Sequence, residues 1–140
     1  MAILVLDTNA VIMSAVGGKM LTDGKDAIFE AALNETLFVS PVSAWEIGLL
    51  ANRETGVRLG FVGSPIGFFQ GLLDREGWNL LPLTVKAAIM SSRLPGDFHK
   101  DPGDRLLVAS AIDAGATFVT RDAKILDWAA RTGALKVLAI

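Results

Sequence analysis

The run Ala2-Ile3-Leu4-Val5-Leu6-Asp7 (AILVLD) decides how the rest of the chain is read. Five apolar residues in a row stop at an acid. A strand with one wet face alternates polar and apolar side chains, whereas a strand covered on both faces does not. The run therefore predicts a doubly covered strand, the form strands take in parallel sheets. Parallel neighbours need long crossover connections, usually helices, so strands and helices should alternate downstream. Leu37–Val39, Asn79–Leu83, Ala116–Thr120 and Leu135–Leu138 read as further short strands. Helical patterns fall between them. Asp26–Thr36 carries Ile28, Ala31, Ala32 and Leu33 on one face. Ser40-Pro41 opens a helix through Leu50, with serine at the cap and proline in the first turn. Ser64-Pro65 repeats that signal, Phe68, Phe69, Leu72 and Leu73 follow, and Gly77 is a stop. Thr84–Arg93, Asp101–Ala114 and Ala123–Thr132 are helical, and Thr55–Gly63 reads as a loop. The order implies a single α/β domain over residues 1–140, with helices on both faces of a mostly parallel sheet.

Composition narrows the function classes. The chain has 140 residues, 51% of them hydrophobic, and a mean hydropathy of +0.46. That is apolar for a domain of this size, and part of the excess is expected to lie against a partner chain. No apolar run approaches the roughly 18–20 residues that span a bilayer, so no membrane association is expected. The start lacks a basic segment and is interrupted by Asp7, which speaks against a signal peptide and for a cytoplasmic location. Without cysteine there are no disulfides, thiolate metal sites or cysteine nucleophiles. A formal net charge of −2 argues against tight electrostatic binding of nucleic acid. It does not argue against acids clustered around cations.

In open parallel sheets ligands bind beyond the carboxyl ends of the strands. Of fifteen acids, four fall where such a sheet lets them converge: Asp7, Glu46, Asp104 and Asp122. Each also has a plainer role. Asp7 could cap a turn, but apolar residues surround it on both sides, and a near-buried carboxylate needs a partner. Glu46 fits a capping box with Ser43. Alternatively, a start at Ser40-Pro41 places Glu46 beyond the first turn among apolar neighbours. Asp101-Pro102 fits an N-cap and first helical position, which leaves Asp104 third, near the positive helix end. Arg105 is out of place at a helix start unless it pairs with an acid and orients it. Asp122 fits an N-cap, a role Thr120 could also take. The single histidine, His99, sits in a polar loop and reads as a surface or supporting group. No serine or cysteine stands in a nucleophile setting, and no glycine-rich phosphate motif occurs. Trp45, Trp78 and Trp128 are expected in the core or at an interface.

Four stretches together carry a resemblance: LVLDTNAVI (Leu4–Ile12), VSPVSAWEIGLL (Val39–Leu50), LPGDFHKDPGDRLLVASA (Leu94–Ala111) and GATFVTRDAKIL (Gly115–Leu126). In this order and spacing the chain resembles the PIN-domain ribonucleases, and among them the VapC-like toxins of bacterial toxin–antitoxin pairs. The resemblance implies a three-layer α/β/α PIN-like domain with a sheet of about five parallel strands. It implies a metal-dependent endoribonuclease whose acidic site maps onto Asp7, Glu46, Asp104 and Asp122, with Asp101 as a cap or supporting group. Thr8 and Thr120 match positions where family members carry a hydroxyl near the metals. A homodimer and a cognate antitoxin are implied too.

Four ionised carboxylates cannot sit close together without cations. Oxygen donors suit Mg2+ or Mn2+, which would activate water against an RNA phosphodiester. Lys100, Arg93, Arg105 and Arg121 could guide the RNA backbone. Two alternatives remain. A metal-dependent phosphohydrolase of the haloacid-dehalogenase type also places an aspartate after its first strand, but needs a second acid where Asn9 stands. A non-catalytic interaction module would use the same acids only as caps.

Overall fold

A computed structural model describes residues 2–52 and 64–140. The loop read at Thr55–Gly63 lies outside these residues. Five strands, β1 (Leu4–Leu6), β2 (Leu37–Val39), β3 (Trp78–Leu80), β4 (Thr117–Thr120) and β5 (Lys136–Ala139), form one sheet in the order β3-β2-β1-β4-β5. All four pairings are parallel, with Leu4 opposite both Leu37 and Thr117. Seven helices are seen among the described residues: α1 (Thr8–Val16), α2 (Thr22–Leu33), α3 (Pro41–Ala51), α4 (Pro65–Leu73), α5 (Val85–Met90), α6 (Pro102–Asp113) and α7 (Ala123–Thr132). No helix among them is long and apolar enough to cross a membrane.

The apolar run at the start is explained by its surroundings. β1 is the central strand, and its side chains alternate between two cores. Val5 packs with Phe118, Leu107, Val108 and Trp128, whereas Leu4 and Leu6 pack with Val39, Ile47 and Val11 on the opposite face. β2 and β3 lie on one side of β1, and β4 and β5 on the other. The chain reverses direction across the sheet between β1 and β4, the place where a crevice opens at the carboxyl end of a parallel sheet.

Several boundaries differ from expectation. No helix was expected at Thr8–Val16, because its apolar residues show no clear period. α1 forms there because Asp7 caps it, its side chain accepting from the Thr8 N–H. α2 begins earlier than Asp26, at Thr22, and ends at Leu33. Gly24 in its first turn lets Ile140 pack closely, since a Cβ there would stand 2.5 Å from Ile140 Cγ2. β3 ends before Pro82, which has no N–H to continue the ladder. The helix read over Thr84–Arg93 divides into α5 and a 3-10 turn, Ser91–Arg93. Gly77 (φ +82°) takes a backbone turn closed to other residues, since a Cβ there would stand 2.0 Å from the Ala32 carbonyl oxygen. Trp128 is in the core, Trp78 is half-buried, and Trp45 is exposed.

Candidate active site

Asp7 follows β1 and is 5% exposed. Both its carboxylate oxygens are engaged. Oδ1 accepts from the Thr8 N–H at 2.8 Å, and Oδ2 accepts from Thr120 Oγ1 at 2.6 Å. Thr120, fully buried at the end of β4, also accepts from the Asp122 N–H at 3.0 Å. One threonine thus ties the acid after the central strand to the acid after its neighbour. Burial, with the charges of Asp104 and Asp122 adding to it and the Thr120 hydrogen bond opposing it, brings the Asp7 carboxyl up to about 6.

The two readings of Glu46 are resolved by the start of α3. Ser40 Oγ accepts from the Val42 N–H at 3.1 Å and Pro41 takes the first position. Glu46 is therefore the sixth helical residue, and the capping box with Ser43 does not form. Instead Thr8 Oγ1 donates to Glu46 Oε1 at 2.6 Å, while Ser43 Oγ stands 3.0 Å from the same hydroxyl. Because Thr8 spends its only proton on Glu46, Ser43 donates to Thr8. Burial, opposed by the Thr8 bond and reinforced by Asp104, Asp7 and Asp101, brings the Glu46 carboxyl to about 7.

α6 supplies the third wall. Asp101 Oδ1 accepts from the Asp104 N–H at 2.9 Å, so Asp101 is the cap, Pro102 is first and Asp104 third. Asp104 Oδ2 meets His99 Nε2 at 2.5 Å. Burial raises the Asp104 carboxyl, His99 opposes it, and Asp101 adds repulsion. Asp122 caps α7, its Oδ1 accepting from the N–H groups of Lys124 and Ile125.

Arg105 does not pair with an acid. Its guanidinium donates to the backbone carbonyls of Ser91 (3.2 Å), Phe98 (2.8 Å) and His99 (2.9 Å). The segment before α6 is irregular, and its carbonyls take the arginine fork that the acids were expected to take. Among the described residues no lysine or arginine forms an ion pair with the acids of the crevice. Among the described residues the ion pairs are Lys86–Asp113, Arg131–Asp127 and His99–Asp104.

All four sequence candidates, with Asp101, line one open cleft of about 390 Å³ at the β1/β4 crevice. Glu46, Asp101 and Asp104 offer ligand atoms within 4.8 Å of one another; so do His99, Asp104 and Asp122. Asp104 belongs to both groups and Asp7 to neither. The donor set suits a hard divalent cation: carboxylate oxygens, mutually repelling, with no lysine or arginine ion-paired to them among the described residues. Two contributors were not found in the sequence. Ser43 was considered only as a cap, yet it supports Thr8. Gly103 lets α3 and α6 close together, since a Cβ there would stand 2.8 Å from Glu46 Oε2. Its only signal was the smallest residue standing between Pro102 and Asp104.

A fold of this topology with an acidic crevice at the sheet's carboxyl end defines the class. The family model of the PIN domain matches residues 4–130, and the chain belongs to the PIN-domain family. Among individual proteins it is similar to ribonuclease VapC22 of Mycobacterium tuberculosis, 30% identical over 91 residues. That alignment covers 65% of this chain and 66% of the relative, just under two thirds of the latter's length. The fold matches VapBC from Salmonella typhimurium in a DNA-bound crystal structure, at TM-score 0.67 and 17% identity, covering 99% of this chain and 98% of that one. It also matches VapBC-5 from Mycobacterium tuberculosis, at TM-score 0.58 and 23% identity, covering 99% and 98%.

Proposed function

We propose that this chain is a metal-dependent endoribonuclease, the toxin of a toxin–antitoxin pair, and that Asp7, Glu46, Asp104 and Asp122 hold its catalytic Mg2+ or Mn2+. The observation that carries this reading is the cleft itself. Five carboxylates face one crevice, three of them with raised affinity for protons, and among the described residues no lysine or arginine is ion-paired with them. Family membership and the similarity to a VapC ribonuclease support the reaction class. The purely structural alternative accounts for Asp7, Asp101 and Asp122, which do cap helices. It gives no reason for Glu46 and Asp104, whose side chains cap nothing and are half-buried beside other acids.

A bound divalent cation would supply the Lewis acid that turns water into a nucleophile and stabilises the leaving oxygen. The chain's own residues set the donors. Thr120 and the Thr8 N–H hold Asp7, Thr8 holds Glu46, and the caps of α6 and α7 fix the backbone of Asp104 and Asp122. Arg93 and Lys100 are exposed and can meet the RNA backbone in a way that Arg105 cannot; Arg121 is exposed too, with one guanidinium N–H donating to Met13 Sδ at 3.2 Å. Exposed apolar side chains at Leu21, Phe29, Leu33, Ile66, Val85 and Ile89 support a protein partner, the cognate antitoxin, and a homodimer. The two apolar cores flanking one sheet support a single domain over 1–140. A cytoplasmic setting accords with an RNA substrate.

The test is cleavage of an RNA pool by the purified chain with Mg2+, with Mn2+ and with EDTA. Discrete fragments are expected in either metal and none in EDTA; cleavage undiminished by EDTA would sink the proposal. A second experiment addresses the close approach of α3 and α6. Gly103→Ala is expected to push the Glu46 carboxylate aside and slow cleavage about tenfold, because small displacements of a catalytic group are costly. Wild-type rates in that variant would mean that Glu46 need not stand against α6.

A further inference from the structure

His99 stands behind Asp104, outside the residues that line the cleft. Two contacts hold its imidazole and a third holds its backbone. Nε2 meets Asp104 Oδ2 at 2.5 Å, the ring stacks on Phe98 with centroids 4.4 Å apart, and its own carbonyl accepts from Arg105 Nε at 2.9 Å. Phe98 in turn stands edge-on against the buried Trp128, at 4.9 Å. A chain of packed and hydrogen-bonded groups thus runs from the core to one oxygen of Asp104. His99 offers a nitrogen to the same ligand group as Asp104 and Asp122, so it could serve either as a ligand or as a hydrogen-bond donor. The placement favours the second role: Nε2 already meets Asp104 Oδ2, and Asp104 lines the cleft whereas His99 does not.

We propose that His99 is a positioning residue: its Nε2–H fixes Asp104 Oδ2 and so orients this carboxylate for the cation that the cleft would hold. The proposal rests on the metal-site reading above. It needs only an N–H at Nε2, which both the neutral Nε2–H tautomer and the imidazolium provide. Ligand carboxylates held in this way bind more tightly because they enter the site already oriented.

The test uses Mn2+ binding by calorimetry, with thermal melting to check the fold. His99→Phe keeps a ring to stack on Phe98 and removes the donor; His99→Gln keeps a donor and removes the ring. His99→Phe is expected to weaken Mn2+ binding about 10–100-fold, and His99→Gln to stay within about threefold of wild type. Nitrogen hyperfine coupling in the electron paramagnetic resonance of bound Mn2+ should be absent. Unchanged binding in His99→Phe, or equal loss in both variants, would overturn the positioning role. So would a nitrogen coupling that disappears in His99→Gln, because it would make His99 a direct ligand. Asp104→Asn run alongside keeps the two readings apart. If it loses Mn2+ while His99→Phe does not, the metal site stands and the role of His99 falls. If wild type binds no Mn2+, both fall together.

Discussion

Asp7→Asn is expected to cut RNA cleavage by about 10²–10³-fold and, in the absence of metal, to make the protein more stable. The two effects have one cause. Asp7 is buried, and its carboxyl is raised from 3.8 to about 6, first by burial and then by the charges of Asp104 and Asp122. The folded state therefore holds this proton more tightly than the unfolded chain does. Below about pH 4 the carboxyl is protonated in both states and the residue costs nothing. As pH rises from there to about 6, the fold loses stability, and above 6 the full penalty remains. Two units correspond to about 3 kcal/mol at the upper limit. Asparagine carries no such charge. Its Oδ1 can still accept from the Thr8 N–H, and the Thr120 hydroxyl can turn to accept from its amide. A gain of about 1–3 kcal/mol near pH 7.5, or roughly 4–10 °C in Tm, is expected in EDTA and should vanish near pH 4. With Mn2+ present the order reverses, because wild type gains a bound ion and the variant loses it. Thermal melts with EDTA and with Mn2+ at both pH values check this. A less stable Asp7→Asn in EDTA at pH 7.5 would mean that Asp7 serves the fold rather than a cation.

The second large effect concerns stability alone. Arg105→Met is expected to cost about 3 kcal/mol, or about 10 °C in Tm. Three backbone carbonyls, those of Ser91, Phe98 and His99, would lose their charged donor at once, and unmet carbonyls in partly buried positions are costly. The guanidinium also lies 5.6 Å from the centre of the Phe98 ring, a further small loss. Arg105→Lys should recover only part of this, since an ammonium cannot span the three carbonyls. Chemical denaturation would measure both. An Arg105→Met protein as stable as wild type would show that the segment leading into α6 is held by its apolar contacts alone.

Arg105 also marks where the sequence could be followed and where it could not. A cation at a helix start was recognisably out of place, yet its partners were backbone carbonyls, which leave no mark in side-chain pattern. The central strand was legible because a doubly covered strand has no polar side chain to interrupt it, as Leu4–Leu6 shows. α1 was hidden because its buried, half-buried and exposed positions follow no simple period, and because Asp7 was weighed as chemistry or turn, not as a helix cap. Asp7 and Asp122 each combine a cap with a place in the cleft, so treating the two roles as rivals was too sharp. The roles of Gly103 and Ser43 depend on how α3 packs against α6 and α1, contacts between segments far apart in the chain. No local pattern encodes them.

The measurement that bears most directly on the account is to follow one carboxylate through both of its proposed duties. Wild type and Asp104→Asn are compared for Mn2+ binding by calorimetry and for cleavage of the same RNA pool. Asparagine keeps the size of Asp104, and the Asp101 cap on its N–H is untouched, so the fold should persist. The account predicts that Asp104→Asn loses Mn2+ binding and cleavage together. A folded Asp104→Asn that binds Mn2+ and cuts RNA as wild type does would contradict it.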